Sequence, residues 1–400
     1  MQNLRRLDSD LFWVGANDRK LALFENVMPI PRGVSYNSYV LLDEQTVLLD
    51  TADSAVGHQF FENVVGVLGG RGLDYLVVNH MEPDHCALIG DLLLRYPSCK
   101  VVSNAKAIQM IGQFFDVNLA GRTQVVAEGD TLCTGRHTLS FVMAPMVHWP
   151  EAMMTYDSVT STLFSADAFG TFGALAGSIY ADEVHFERDW IADARRYYCN
   201  IVGKYGAQVQ TVLKKAAGLD IKRICPLHGP VWRKDLGYIL EKYDKWSRYE
   251  AEEQGVMVVY GSMYGNTESA AECVAARLAE KEMTEVALYD VSHTDMSLLV
   301  GEAFRWSHIV VAAPTYNAAV YTPIEHFLQE LKAHNLQNRT IALIENGTWA
   351  PMTGKMMTEM VQSMKAMTVL SPTLTLKSAL KESQRGSVDQ FVDVVLESMK

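Results

Sequence analysis

After Gly255 the chain repeats one pattern, a short continuously apolar run followed by a stretch of helical periodicity. The apolar runs occupy 256–261, 285–291, 308–313 and 340–345, with a fifth at 367–375. Helical patterns such as Thr267 to Lys281 and Pro323 to Ala333 lie between them. Unbroken apolar runs like Ile309-Val310-Val311-Ala312-Ala313 mark strands buried on both faces. Strands that alternate with helices build βαβ units and a parallel sheet. Residues 255–400 are therefore expected to form one α/β domain.

Residues 1–250 follow a different rhythm. Strand-like runs at 39–42, 46–50 and 73–78, with a hairpin connection at Asp43-Glu44-Gln45, mix with helical patterns at 56–69, 88–96, 104–115 and 190–217. That order predicts a mixed α/β layered fold. An amphipathic stretch, Leu236 to Glu253, runs into the boundary, placed between Tyr249 and Gln254. A chain of 400 residues is long enough for two cores of ordinary size.

Composition narrows the partners. Hydrophobic residues at 48% and charged residues at 20% suit a folded soluble protein, and a net charge of −12 repels nucleic acid and anionic membranes. No apolar run approaches the roughly 20 residues that span a bilayer, and the N-terminus lacks the apolar core of a secretory signal. The six cysteines include no C-x-x-C pair. They read as reduced thiols in a cytoplasmic protein rather than a disulfide framework or a cysteine-ligated metal site.

The most chemical segment follows Leu76-Val77-Val78. It reads His80-Met81-Glu82-Pro83-Asp84-His85, with four potential metal ligands in six residues. If the segment is extended, alternate residues project to one side, so His80, Glu82 and Asp84 converge while His85 turns to a second centre. Pro83 stiffens the turn. His148, Asp167 and His228 each follow apolar residues that would place them at strand ends. Taken singly, each reads more readily as a core or turn residue. Packing the six-residue cluster without a cation, however, would be costly. Seven such side chains are too many for one small ion and suit a binuclear centre. Three carboxylates with four imidazoles favour iron, with zinc and manganese left open by ligand type.

A second constellation lies on the C-terminal sheet. The first strand ends in Gly261-Ser262-Met263-Tyr264-Gly265-Asn266-Thr267 and leads into a helix. Hydroxyl and amide groups, glycine and a helix N-terminus together form an anion site. The loop is neither a Walker A nor a G-x-G-x-x-G loop, and without lysine it suits a monophosphate held by neutral donors. Pro314-Thr315-Tyr316-Asn317-Ala318 and Asn346-Gly347-Thr348-Trp349-Ala350 follow later strands, at the edge where doubly wound sheets bind ligands. Tyr316 and Trp349 are candidates to face a planar ring.

Together these motifs resemble the flavodiiron proteins over essentially the whole chain. The C-terminal part is similar to flavodoxin, with Ser262, Asn266 and Thr267 in the phosphate-loop positions. The N-terminal part resembles the metallo-β-lactamase fold in its iron-binding form, which has Glu82 where the zinc hydrolases carry histidine. The resemblance implies an α/β protein in which a metallo-β-lactamase-like αββα domain (1–250) precedes a flavodoxin-like doubly wound parallel sheet (255–400). It also implies FMN and two iron ions as cofactors. His80, Glu82 and His148 would hold one iron and Asp84, His85 and His228 the other, with Asp167 bridging. Some relatives leave the histidine equivalent to His85 unligated. Tyr197 matches a tyrosine that in relatives lies just outside the ligand set, which implies that it could hydrogen-bond to a bound intermediate.

The implied activity is reduction of O2 to water, of NO to N2O, or of both, in a head-to-tail homodimer or homotetramer. Electrons would come from rubredoxin or another small donor, because no C-x-x-C pair marks a fused rubredoxin. Two other readings compete: a binuclear hydrolase of the metallo-β-lactamase superfamily, and a passive electron carrier or metal store. Glu82 and the flavin loops argue against the first, and the assembled ligand set against the second.

Overall fold

A computed structural model describes residues 2–400 and resolves them into two compact units. One runs to Tyr198 and takes in Ala207–Asp244; the other comprises Cys199–Gly206 and Lys245–Lys400.

The first unit contains two large sheets and two two-stranded ribbons. A seven-stranded sheet runs in the order Arg5–Arg6, Leu11–Trp13, Tyr39–Leu42, Thr46–Leu49, Tyr75–Val77, Lys100–Ser103 and Thr123–Val125. Its early pairs are antiparallel and its later ones parallel. A five-stranded sheet follows the chain from Thr131–Cys133 through Thr138–Met143, Met153–Asp157 and Thr162–Phe164 to Arg223–Cys225, with only the last pair parallel. The central strands are buried throughout, as at Thr46–Leu49 and Met153–Asp157.

The second unit is the doubly wound sheet expected. Parallel strands run in the order Val286–Asp290, Glu253–Tyr260, Trp306–Tyr316 and Thr340–Asn346. The expected fifth strand at 367–375 is instead two short strands, Thr368–Val369 and Leu374–Leu376. Pro372 lies between them; it has no N–H for the ladder and restricts Ser371.

The helical pattern at 190–217 is also interrupted. Helix Ile191–Tyr197 passes through a π-helical turn, Tyr198–Val202, and a 3-10 turn, Gly203–Tyr205, before helix Gly206–Ala216. The Tyr249 hydroxyl holds this break within the second unit. It donates to Gly203 O at 2.9 Å and accepts from the Gly206 N–H at 3.2 Å and from Asn335 Nδ2 at 2.8 Å. A Cβ on Gly206 would lie 2.3 Å from Ser247 O, so only glycine allows this approach.

Candidate metal centre

The ligand-type residues meet in one buried pocket of the first unit. Asn79 and His80 follow strand Tyr75–Val77, Asp167 follows Thr162–Phe164, and His228 follows Arg223–Cys225. His148 lies in the connection between Thr138–Met143 and Met153–Asp157. The extended alternation expected for 80–84 is not what forms. Pro83–Cys86 is a turn of helix with proline at its start, and the N–H groups of His85 and Cys86 both donate to Glu82 O. Proline is preorganised for that position. The helical turn sends Asp84 to the side of His85 rather than to that of His80 and Glu82.

Two donor sets result. His80, Glu82, His148 and Asp167 form one; Asp84, His85 and His228 form the other. In the first, His148 Nε2 lies 2.9 Å from Glu82 Oε2, 3.1 Å from Asp167 Oδ2 and 3.3 Å from His80 Nε2. In the second, His85 Nε2 lies 2.9 Å from His228 Nε2 and 3.3 Å from Asp84 Oδ2, and His228 Nε2 lies 3.2 Å from Asp84 Oδ2. Asp167 faces both sets. Its Oδ2 is 3.3 Å from His80 Nε2, while its Oδ1 is 3.2 Å from His85 Nε2 and 3.7 Å from His228 Nε2.

This arrangement fits two cations. Asp84 Oδ1 and Asp167 Oδ1 are buried without a hydrogen-bond donor among the described residues, and such atoms are costly unless something positive meets them. Nitrogen atoms facing each other at 2.9 and 3.3 Å have the spacing of neighbouring ligands on bonds of about 2.1 Å. Without a cation the groups distort one another's proton affinity. Burial pushes the Asp84 carboxyl up to about 8, with the charges of Glu82 and Asp167 adding to it against the pull of His85. Burial opposes charge on His148, but Asp167 and Glu82 lift it to about 9. Burial also works against Glu82 and Asp167, yet the imidazoles around them hold both carboxyls far below the usual range. A metal pair would take the place of these shared protons.

The supports are specific. His228 Nδ1 donates to Ser35 O at 2.8 Å, which leaves Nε2 free to ligate. Gly229, at φ 73°, could not carry a side chain there, since a Cβ would lie 2.2 Å from Thr171 Cγ2. The Tyr197 ring packs edge-on to His228 with centroids 5.5 Å apart, and its buried hydroxyl has no hydrogen-bond partner among the described residues.

Three residues here were not found from sequence. Glu151 accepts from His80 Nδ1 at 2.9 Å, and Asp50 accepts from Asn79 and from the backbone of His80. Glu25, a surface residue between strands Leu23–Phe24 and Met28–Pro29, sets its carboxyl against Glu82; partial loss of water around that carboxyl, then the charge of Glu82, pushes it up to about 7. A single acidic residue in a loop carries no spacing signal.

In the second unit, a cleft of about 410 Å³ brings the three loops together. Ser262, Met263, Tyr264, Asn266, Thr267, Pro314, Thr315, Asn317, Asn346, Gly347, Thr348 and Trp349 line it, with Ala318, Ala350, Met352 and Ser378. Helix Asn266–Glu280 starts there with no side-chain cap, so its first N–H groups are left for a ligand. Gly265 provides the left-handed turn before it, at φ 86°, and its N–H donates to Ser262 Oγ at 3.1 Å. Gly261 allows Tyr321 to pack closely, as a Cβ would lie 2.4 Å from its ring. Among the described residues no cationic side chain lines the cleft, in keeping with a phosphate held by neutral donors. Tyr264 and Trp349 stand 92% and 90% exposed at its walls, two uncovered aromatic faces where a planar ring would sit. Tyr316 is not among the lining residues; its ring meets Tyr321 edge-on. The tyrosine at the cleft wall is therefore Tyr264.

Known proteins match both units. The ODP family beta lactamase profile covers residues 34–229 and the flavodoxin profile residues 258–390. A protein of Methanocaldococcus jannaschii is 30% identical over 96% of this chain and 96% of its own length. An anaerobic nitric oxide reductase flavorubredoxin of Escherichia coli O1:K1 / APEC is 30% identical over 86% of this chain and 72% of its own length. Among solved structures, the flavodiiron protein of Giardia intestinalis superposes with a TM-score of 0.93 at 23% identity, covering 100% of this chain and 97% of that one. Rubredoxin oxygen:oxidoreductase of Desulfovibrio gigas gives 0.91 at 24% identity, covering 99% and 98%. These structural matches bear out the expected fold class, a metallo-β-lactamase-like domain followed by a flavodoxin-like sheet.

Proposed function

The chain belongs to the flavodiiron protein family, and on that premise we propose that it reduces O2 to water, NO to N2O, or both, at a di-iron site fed by FMN. It is an oxidoreductase whose cofactors are FMN and two iron ions. The balances are one O2, four electrons and four protons to two waters, or two NO, two electrons and two protons to N2O and water. The observation that carries the reading is Asp167, with one carboxylate oxygen facing each donor set.

The iron pair and the flavin supply the redox chemistry. The residues supply position and charge. His80, Glu82 and His148 would hold one iron, Asp84, His85 and His228 the other, and Asp167 would be shared. Tyr197 offers a proton-bearing hydroxyl beside them, kept protonated by burial and then by the charge of Asp167. At the cleft, Ser262, Thr267 and the helix N-terminus would receive the FMN phosphate, with Tyr264 and Trp349 against its ring. The proposed assembly is a cytoplasmic head-to-tail homodimer or homotetramer that takes electrons from rubredoxin or a similar small donor. Relatives named for rubredoxin support that choice. Among the described residues no helix is long and apolar enough to cross a membrane.

Metal analysis joined to stopped-flow mixing tests the reading. About two irons per chain are expected, with flavin reoxidised when the reduced protein meets O2 or NO. Two zincs and an inert flavin would instead establish the hydrolase. Glu82→Ala is expected to impair iron retention and abolish gas reduction while FMN stays bound.

A further inference from the structure

The seven donors divide evenly: each set has two imidazoles and one carboxylate of its own, and Asp167 turns one oxygen to each. The difference lies behind the rings. His80 Nδ1 meets Glu151 Oε1 at 2.9 Å, an oxygen that also accepts from the Met81 N–H at 2.9 Å. The Glu151 side chain is fully buried, and its Oε2 has no hydrogen-bond partner among the described residues. On the other side, His228 Nδ1 donates only to the neutral carbonyl of Ser35 at 2.8 Å, and His85 Nδ1 has no hydrogen-bond partner among the described residues.

We propose that Glu151 is a positioning residue that fixes His80 with Nε2 toward the metal and makes the two metal positions unequal, so that the half-reduced pair keeps its ferric ion on the side of His80, Glu82 and His148. This rests on the di-iron reading above. An imidazole hydrogen-bonded to a carboxylate gains anionic character and becomes a stronger donor to the more highly charged ion. The buried charge acts at short range with little water to screen it. One electron entering the diferric pair therefore resides on the side of Asp84, His85 and His228. The second electron then reduces the side of His80. Each step is a single electron transfer from the flavin, and no bond is made or broken. Glu25, whose carboxyl meets Glu82 on the same side, stays unchanged in every variant.

The test is a redox titration of the full-length protein loaded with iron and FMN, following the mixed-valent iron signal by electron paramagnetic resonance, with iron content measured in parallel. Glu151→Gln keeps an acceptor oxygen for the ring N–H and removes the charge. It is expected to retain its iron, to raise the second reduction step and to leave the first in place. The comproportionation constant of the mixed-valent state should fall about tenfold, equivalent to ~59 mV for a one-electron step. Glu151→Asp keeps the charge one methylene further away and should lower the constant less, on the order of threefold.

Unmoved steps in an iron-loaded Glu151→Gln protein overturn the proposal, and so does a shift confined to the first step. If Glu151→Gln loses iron, Glu151→Asp decides, and a constant equal to the wild type's overturns it. A wild-type protein that takes up no iron removes the di-iron reading as well, and that result is read before any variant is made.

Discussion

Asp50 grips Asn79 with both carboxylate oxygens: Oδ1 accepts from the Asn79 backbone N–H and Oδ2 from its side-chain amide, each at 2.7 Å. Asn79 immediately precedes His80, and its own Oδ1 accepts from Thr155 Oγ1 at 2.7 Å. The grip therefore ties the end of strand Thr46–Leu49 to the start of the ligand segment and, through Thr155, to the five-stranded sheet. Asp50→Ala strands three buried donors, the N–H and side-chain amide of Asn79 and the His80 N–H, and is expected to cost roughly 2–4 kcal/mol. Urea unfolding of the metal-free protein measures this cost, and iron content should fall in the same variant. An unchanged midpoint would show that the grip contributes nothing.

Tyr197→Phe separates a core role from a functional one. The hydroxyl is buried and has no hydrogen-bond partner among the described residues, so its removal should change stability by less than about 1 kcal/mol in either direction. Gas reduction should nevertheless slow, by about tenfold if the hydroxyl donates one hydrogen bond at the pocket. Turnover equal to the wild type's would leave Tyr197 as packing alone.

The aromatic walls of the cleft predict a loss confined to the flavin. Trp349→Ala and Tyr264→Ala should each weaken FMN binding by about tenfold, the effect of one lost stacking contact. Fluorescence titration of the FMN-free protein measures this. Iron content should not change, since the two constellations belong to different compact units.

His137 predicts a pH dependence away from the metal pocket. Its Nδ1 meets Asp157 Oδ2 at 2.9 Å and its Nε2 meets Asp10 Oδ2 at 3.1 Å. Burial alone would lower its pKa, but the bonds to Asp10 and Asp157 prevail and raise it. A histidine whose folded pKa lies above the unfolded value contributes stability that is fully present below about pH 6.5 and is lost as pH climbs through the folded pKa. His137→Gln should therefore destabilise the protein more at about pH 6 than at about pH 9. Chemical denaturation at the two pH values checks the sign, and a larger loss at the alkaline value would refute it.

The contiguity of the motifs decided what could be read without coordinates. His80, Glu82, Asp84 and His85 announce themselves because six adjacent residues hold four ligand types. The loop after Tyr260 is legible because glycine, hydroxyl and amide residues precede a helix. Glu151, Asp50 and Glu25 are each one acid among many, and only folding brings them to the ligands. Local geometry was less legible where one residue permits two outcomes. Pro83 suits an extended turn as well as the first position of a helix, and the structure takes the helix. Strands of two or three residues, such as Arg5–Arg6 and Thr123–Val125, are too short for alternation to show. Tyr316, expected to offer a flat face, meets Tyr321 edge-on, and Tyr264 is the tyrosine that lines the cleft.

A carboxylate with one oxygen facing each donor set ties both metal positions to a single side chain. Losing Asp167 would remove an oxygen donor from both positions at once, whereas losing His148 or His228 would take a ligand from one set alone. The pair would therefore share one point of failure.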